Sequence, residues 1–175
     1  MTAGERSIIQ KLDAVVRSNG AEIRPIVARV REDLAAKKAA VMTWEPIPLT
    51  LFREALPTGI KSAWVFVLRA GANTGAERHP NSHQRMMSWE GSGDMQISDT
   101  KEPLKWQSNL LVSDPTAPIE QRWISIPQNV WHQPVIGKDA DWAVVSFHTV
   151  PAEELIEERP DAGDKTRQMI YLKKQ

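Results

Sequence analysis

Gly71-Ala72-Asn73-Thr74-Gly75-Ala76-Glu77-Arg78-His79-Pro80-Asn81-Ser82-His83-Gln84, running on to Trp89-Glu90-Gly91-Ser92-Gly93, is the stretch whose reading decides the fold. A shorter run, Pro127-Gln128-Asn129-Val130-Trp131-His132, follows downstream, and the two together hold three of the four histidines. A lone histidine more often satisfies a local hydrogen bond than binds a metal. Three clustered with a glutamate are a different matter. Neutral imidazole nitrogen and carboxylate oxygen are the donors that suit zinc, iron, nickel or manganese.

Working outward, the chain from Pro46 to Val150 consists of short segments of strand composition broken by turn residues. Strands are expected near 47–53, 63–70, 85–90, 93–98, 106–112, 122–126, 133–137 and 142–149. Trp64-Val65-Phe66-Val67-Leu68 and Trp142-Ala143-Val144-Val145-Ser146-Phe147 are rich in β-branched and aromatic residues. Glu90-Gly91-Ser92-Gly93-Asp94 marks a reversal, and Asp114 to Pro118 and Gly137 to Asp141 mark loops. Many short strands with no helices between them imply an antiparallel sandwich or barrel.

The region before this, 1–45, reads as a helical hairpin. Ile8, Ile9, Leu12, Val15 and Val16 recur at helical spacing, Ser18-Asn19-Gly20 is a stop, and a second stripe carries Ile23, Ile26, Val27, Val30 and Leu34. Pro25 falls in the first turn of that second helix, where a missing amide hydrogen costs little. The hairpin is expected to pack on the barrel of 46–150. After the barrel, 151–175 is expected to hold a short acidic helix up to Glu158, halted before Pro160, with Thr166 to Leu172 as a possible edge strand.

Composition excludes several classes. The 175 residues fit one domain with a core. Charges balance, 22 against 22, so no overall field attracts nucleic acid or an anionic membrane. The longest uncharged apolar run, Ala63 to Leu68, is too short to span a bilayer. No signal-peptide pattern opens the chain, and cysteine is absent, so a cytoplasmic location is the default expectation and thiolate ligands are excluded. Seven tryptophans stand against one tyrosine, and six of the seven fall between Trp64 and Trp142.

These motifs resemble those of a small single-domain cupin, a jelly-roll β-barrel. Gly71 is followed by five residues, Glu77-Arg78-His79, four residues, Gln84, six residues and Gly91, and every gap matches the family's first motif. Two identities depart from it: Glu77 holds a histidine position and Gln84 the glutamate position. In the second motif Pro127 and His132 keep their spacing, while Asn129 stands for a glycine, Ile136 for an asparagine, and Gln121 for the leading glycine. Asparagine tolerates the left-handed backbone a glycine would adopt there.

The resemblance implies four ligands pointing inward near one mouth. Residues two apart on a strand share a face, so Glu77 and His79 can look into the barrel together. The expected metal set is Glu77, His79, His83 and His132, with His83 taken in preference to the neutral amide of Gln84. Without His83 the set is two histidines and one carboxylate, which also matches open non-haem iron sites. Gln84 is expected as an orienting donor at the catalytic site. His148 is expected either beside the cavity as a further catalytic group or at the surface as a strand cap. Arg85, Gln96 and Gln133 are weaker candidates for orienting a polar substrate, and a buried arginine would imply an anionic ligand.

The implied function is a metal-dependent enzyme acting on a small organic molecule, most simply a dioxygenase-like oxidoreductase, holding one divalent transition-metal ion per chain (Fe, Ni, Zn or Mn). A non-catalytic module that binds or senses a small molecule is the alternative, with an isomerase or epimerase third. A homodimer is expected, because the helical stripes offer apolar surface. Nucleic-acid and membrane partners are not.

Overall fold

A computed structural model describes residues 1–53, 56–98, 105–161 and 165–170. Two helices, α1 (Ala3–Ser18) and α2 (Gly20–Ala36), precede the strands β1 (Met42–Pro46), β2 (Ser62–Leu68), β3 (Gln84–Glu90), β4 (Ser92–Ser98) and β5 (Leu110–Val112). A one-turn helix α3 (Ile119–Arg122) leads into β6 (Trp123–Ile126), then β7 (Trp131–Ile136), β8 (Trp142–His148), β9 (Ile156–Asp161) and β10 (Lys165–Ile170). Every paired strand is antiparallel.

The strands form a jelly-roll-like pair of sheets that do not close into a continuous barrel. One sheet runs β1-β2-β8-β3-β6 and the other β5-β4-β7. The stretch 73–78 extends the second sheet by single bridges, Asn73 and Glu77 to β7 and Arg78 to Glu158 of β9, and β9 pairs β10. Two cores result. Trp64, Phe66, Met86, Met95, Trp142 and Val144 fill the space between the sheets. On the outer face of the larger sheet, Val65, Val67, Met87, Trp123 and Phe147 pack under Ile9, Leu12, Val16, Ile23, Val27 and Leu34 of the helices. The alternation of β2 and β8 thus serves two apolar layers, which is why these strands read as unbroken apolar runs.

The helical stripes therefore cover their own sheet and are not the free apolar surface on which the dimer expectation rested. Buried ion pairs fasten the layer. Asp13 of α1 accepts from Arg122 Nη1 at 2.5 Å and Trp123 Nε1 at 2.9 Å, and Glu5 accepts from Arg85 Nε at 2.6 Å. Arg85 is 7% exposed, but its counter-ion is this glutamate rather than an anionic ligand.

Two glycines are required by geometry. Gly91 turns β3 into β4 at φ 81°. At Gly93 any Cβ would fall inside the indole of Trp142, which is fully buried and donates Nε1–H to Ser88 Oγ at 2.9 Å. Asn129 has φ 63°, the left-handed conformation expected where the motif would carry glycine.

Three expectations need correction. The strand expected at 47–53 lies earlier, at Met42–Pro46, and Leu49–Phe52 is a 3-10 turn. Ile47 N–H still bonds the Ala63 carbonyl at 2.8 Å, and Pro48, which has no N–H to donate, ends the pairing. The segment expected from 106 is a strand only over Leu110–Val112, joined upstream by one bridge, Ile97 to Gln107. The acidic helix expected over 151–158 is a 3-10 turn, Ala152–Glu154, followed by β9. The edge strand expected at 166–172 is β10 as far as Ile170; residues 171 and 172 lie outside the described residues.

Candidate metal centre

Glu77 and His132 face each other directly across antiparallel backbone, with Glu77 N–H to His132 C=O and His132 N–H to Glu77 C=O both at 2.8 Å. Side chains of such a pair project to one face, and His79, two residues on, shares it. Arg78, between them, points the other way. It pairs with Glu158 at 2.7 Å and lies 4.7 Å from the ring centre of Trp131. The pleat alone brings two imidazoles and one carboxylate together inside the protein.

One donor atom from each of Glu77, His79 and His132 lies within 4.8 Å of the others, and all three residues are buried. The hydrogen bonds fix which nitrogen of each imidazole is available. His79 Nδ1 is 2.9 Å from the Ile156 carbonyl and His132 Nδ1 is 3.1 Å from the Val130 carbonyl. A carbonyl only accepts, so Nδ1 carries a proton in both rings, and Nε2 presents a lone pair in the neutral form of each. His132 Nε2 is buried with no hydrogen-bond partner, although Glu77 Oε1 lies 3.3 Å away. A neutral imidazole nitrogen facing a carboxylate oxygen calls for a cation between them, a proton or a metal ion, and two imidazoles with one carboxylate are a donor set that fits a transition-metal ion.

Electrostatics prepare the same state. Burial alone would raise the Glu77 carboxyl, but contact with His132 and the charges of His132, Arg159 and His79 outweigh it and hold it at about 2. Burial, then repulsion from His132, lowers His79 to about 4 despite the pull of Glu77. Both groups are in their ligating forms at neutral pH.

Arg159, from β9, was not anticipated from the sequence. Its Nη2 holds Glu77 Oε2, its Nε holds Glu157, and its Nη1 donates to the Thr74 carbonyl at 2.5 Å. Glu77 thus spends one oxygen on arginine and turns the other towards His132. The available signal was Pro160: the residue before a proline is biased to extended backbone, against a helix there.

His83 is not brought to this site. Pro80-Asn81-Ser82 bends the chain and breaks the parity count from Glu77, so His83 falls on the same side of β3 as Arg85, facing α1. Its Nε2 lies 2.7 Å from Ser125 Oγ and 3.7 Å from Glu5. Burial and Arg85 lower its basicity against the pull of Glu5.

Gln84 and His148 do face inward. Gln84 donates to Ser146 Oγ at 3.0 Å, and Ser146 Oγ lies 3.1 Å from His148 Nε2. His148 is 1% exposed, edge-on to His79 with ring centres 5.1 Å apart. It is therefore a buried group behind His79, not a surface cap, and burial keeps it well below its ordinary basicity. The Gln84 carbonyl oxygen is buried without a partner. Glu77 and Gln84 border a cavity of about 30 Å³ whose other walls include Phe66, Met86, Met95 and Val144. That volume holds a water molecule or two. Gln96 and Gln133 bond each other at 2.8 Å.

The fold defined by these sheets is that of the cupins, as its structural neighbours are. No protein-family model matches the chain, and no curated protein matches its sequence. Among solved structures, the coconut allergen cocosin aligns with TM-score 0.50 and 17% identity over 71% of this chain and 29% of that one. The 11S globulin from Wrightia tinctoria, described with an auxin binding site, aligns with TM-score 0.51 and 15% identity over 71% and 28%. CapF bound to the inhibitor 3-isopropenyl-tropolone aligns with TM-score 0.50 and 11% identity over 65% and 29%. The chain spans less than a third of each of these neighbours, and the likeness is one of fold. No helix among the described residues is long and apolar enough to cross a membrane.

Proposed function

We propose that this chain is a metal-dependent cupin-fold enzyme of the oxygenase type, acting on a small organic molecule. Glu77, His79 and His132 would hold one divalent transition-metal ion per chain. The observation that carries the reading is the buried, unpartnered Nε2 of His132 beside Glu77 Oε1, with His79 on the same face. Two imidazoles and one carboxylate are the set that leaves coordination positions open in non-haem iron oxygenases, and iron(II) is the ion we assign. Bound there, the ion would supply Lewis acidity and oxygen activation.

The protein's own contribution is positioning. Ile156 and Val130 carbonyls fix both imidazole tautomers, which raises ligand basicity and sets ring orientation. Arg159 neutralises Glu77 and keeps it to one inward oxygen. Gln84 is assigned the orienting role, its unpartnered carbonyl oxygen accepting from a substrate hydroxyl or amine. Met86 and Met95, flexible and apolar, exclude water and would have to move to admit anything larger than a few atoms. The neighbours described with an auxin site and a tropolone inhibitor are consistent with the ligand class.

The small cavity favours one rival, a binding module without turnover. Protein produced in iron-supplemented medium and purified without chelator should carry about one transition-metal ion per chain by elemental analysis. Metal-free protein that also refuses iron, zinc, nickel and manganese in titration would overturn the metal reading. Metal-loaded protein that takes up no oxygen with any small hydroxylated or amino substrate would favour the binding module.

A further inference from the structure

A second cavity lies away from the metal candidates. It measures about 480 Å³, within the range of small-molecule sites, and opens where the last strand of the larger sheet, β6, faces β5 of the smaller one. Ile97, Leu111, Trp123 and Ile124 give it apolar walls, and Glu5, His83 and Ser125 form its polar end. We propose that it is a second ligand site, for a neutral molecule with an apolar body and one hydrogen-bond-donating hydroxyl.

The hydrogen bonds at the polar end define what the site asks for. Arg85 grips both oxygens of Glu5, at 2.6 and 3.0 Å, so this carboxylate is ionised and only accepts. Ser125 has a single proton, and it goes to Glu5 Oε1 at 2.7 Å. The serine oxygen, 2.7 Å from His83 Nε2, then accepts the imidazole N–H. The chain His83 to Ser125 to Glu5 leaves Nδ1 of His83 as an acceptor with no partner among the described residues, on a side chain that is 26% exposed. An acceptor in that place calls for a donor on the ligand. The charged side chains that line the cavity are matched, Glu5 by Arg85 and Glu120 by Arg6. The site uses His83, the histidine that the metal centre leaves aside, and stands whether or not the metal reading does.

The test uses the whole chain, once metal-loaded and once treated with chelator, and two probes of equal shape, 4-propylphenol and its methyl ether. Ligand-observed NMR and calorimetry should show saturable one-to-one binding of the phenol at about 1 mM or tighter, the same in both metal states. The ether should bind roughly tenfold more weakly, the worth of one hydrogen bond. His83→Phe keeps the ring volume and removes the acceptor; it should bring the phenol down to the ether without altering the ether. Ile97→Trp, filling the cavity, should remove both. Equal binding of phenol and ether to the unaltered protein overturns the proposal without recourse to a variant. So does tighter binding of 4-propylbenzoate than of the phenol, binding that follows the metal, or no binding at 5 mM.

Discussion

Replacing His132 with alanine separates a ligand from a core histidine, because the two roles predict opposite costs. In metal-free protein the ring is fully buried, its Nδ1 donates to Val130, and its Nε2 has no partner. Loss of the Val130 bond costs about 1 kcal/mol, and the vacated space costs a further 1–3 kcal/mol. Against this, removing a buried unsatisfied nitrogen returns about 1–3 kcal/mol. The metal-free variant should therefore lie between about 1 kcal/mol more stable and about 3 kcal/mol less stable than the unaltered protein. Bound metal acts differently: at a concentration a hundred times its Kd it adds about 2.7 kcal/mol to a state that binds it only when folded. For a chain of 175 residues this raises Tm by roughly 5–10 °C. Differential scanning fluorimetry of chelated protein, with and without added iron or zinc, gives both numbers for each variant. His132→Ala should remain folded when chelated, with a midpoint lowered by no more than roughly 10 °C, and lose the metal-induced rise. A metal-induced rise that survives the substitution would refute the ligand assignment. A variant that unfolds without metal would refute the reasoning from the unpartnered nitrogen.

His83→Ala should retain the metal stoichiometry of the unaltered protein by elemental analysis; loss of the ion would restore His83 to the ligand set. Arg159→Met should weaken metal affinity by roughly 10- to 100-fold in a competitive chelator titration, since a group that orients a ligand is lost. A variant that binds metal more tightly would show that Arg159 competes with the ion for Glu77. Gly93→Ala should cost roughly 3 kcal/mol or more in urea denaturation, because the added methyl overlaps the buried Trp142 ring and its bond to Ser88; a change under 1 kcal/mol would mean that the sheet gives way cheaply. Metal-free protein should lose stability in acid. His79 is lowered in the folded state from 6.5 to about 4, so the unfolded chain binds the extra proton and stability falls as pH drops from 6.5 towards 4. Glu77, lowered from 4.5 to about 2, continues the loss below pH 4.5. Stabilities from urea unfolding at pH 7 and pH 5 should differ by at least about 2 kcal/mol, the share of His79 alone, since His148 is also held low and adds to the same loss, and equal stabilities would show that His79 is not buried as a neutral ring.

Much of the fold was legible because spacing and turn chemistry speak independently of ligand identity. Gly91 and Asn129 take the left-handed backbone that their motif positions require. The strands that β-branched and aromatic residues announce, β2 and β8, are where they were expected. What failed was read from local preference alone. Ala152 to Glu158 has helix-forming composition, yet from Ile156 it extends as β9, where Glu158 meets Arg78 across the bridge. Arg78 lies eighty positions from Glu158, beyond the reach of any propensity. The misread segment hid Arg159, which touches the site. His83 failed for a smaller reason: parity cannot be counted through a bend containing proline, and one residue decides which face of a strand a side chain takes.

The two departures from the motif now read as one displacement. Where the family's glutamate would stand, at the start of β3, Gln84 keeps the inward direction but gives up the charge. The charge reappears seven residues earlier in Glu77, directly across the strand from His132. A carboxylate moved to that edge of the second sheet comes within reach of β9, and Arg159 of β9 meets it. Glutamate and arginine are therefore best treated as a coupled change. Glu77→His alone, which restores the family's residue, should then leave Arg159 without its partner at this position and repel it through any protonated imidazole. Combined with Arg159→Met, the same substitution should recover metal affinity by more than the two single effects predict. Coupling of about 1 kcal/mol or more in that double-mutant cycle is the expected result, and additive effects would mean that the arginine arrived for reasons unrelated to the metal centre.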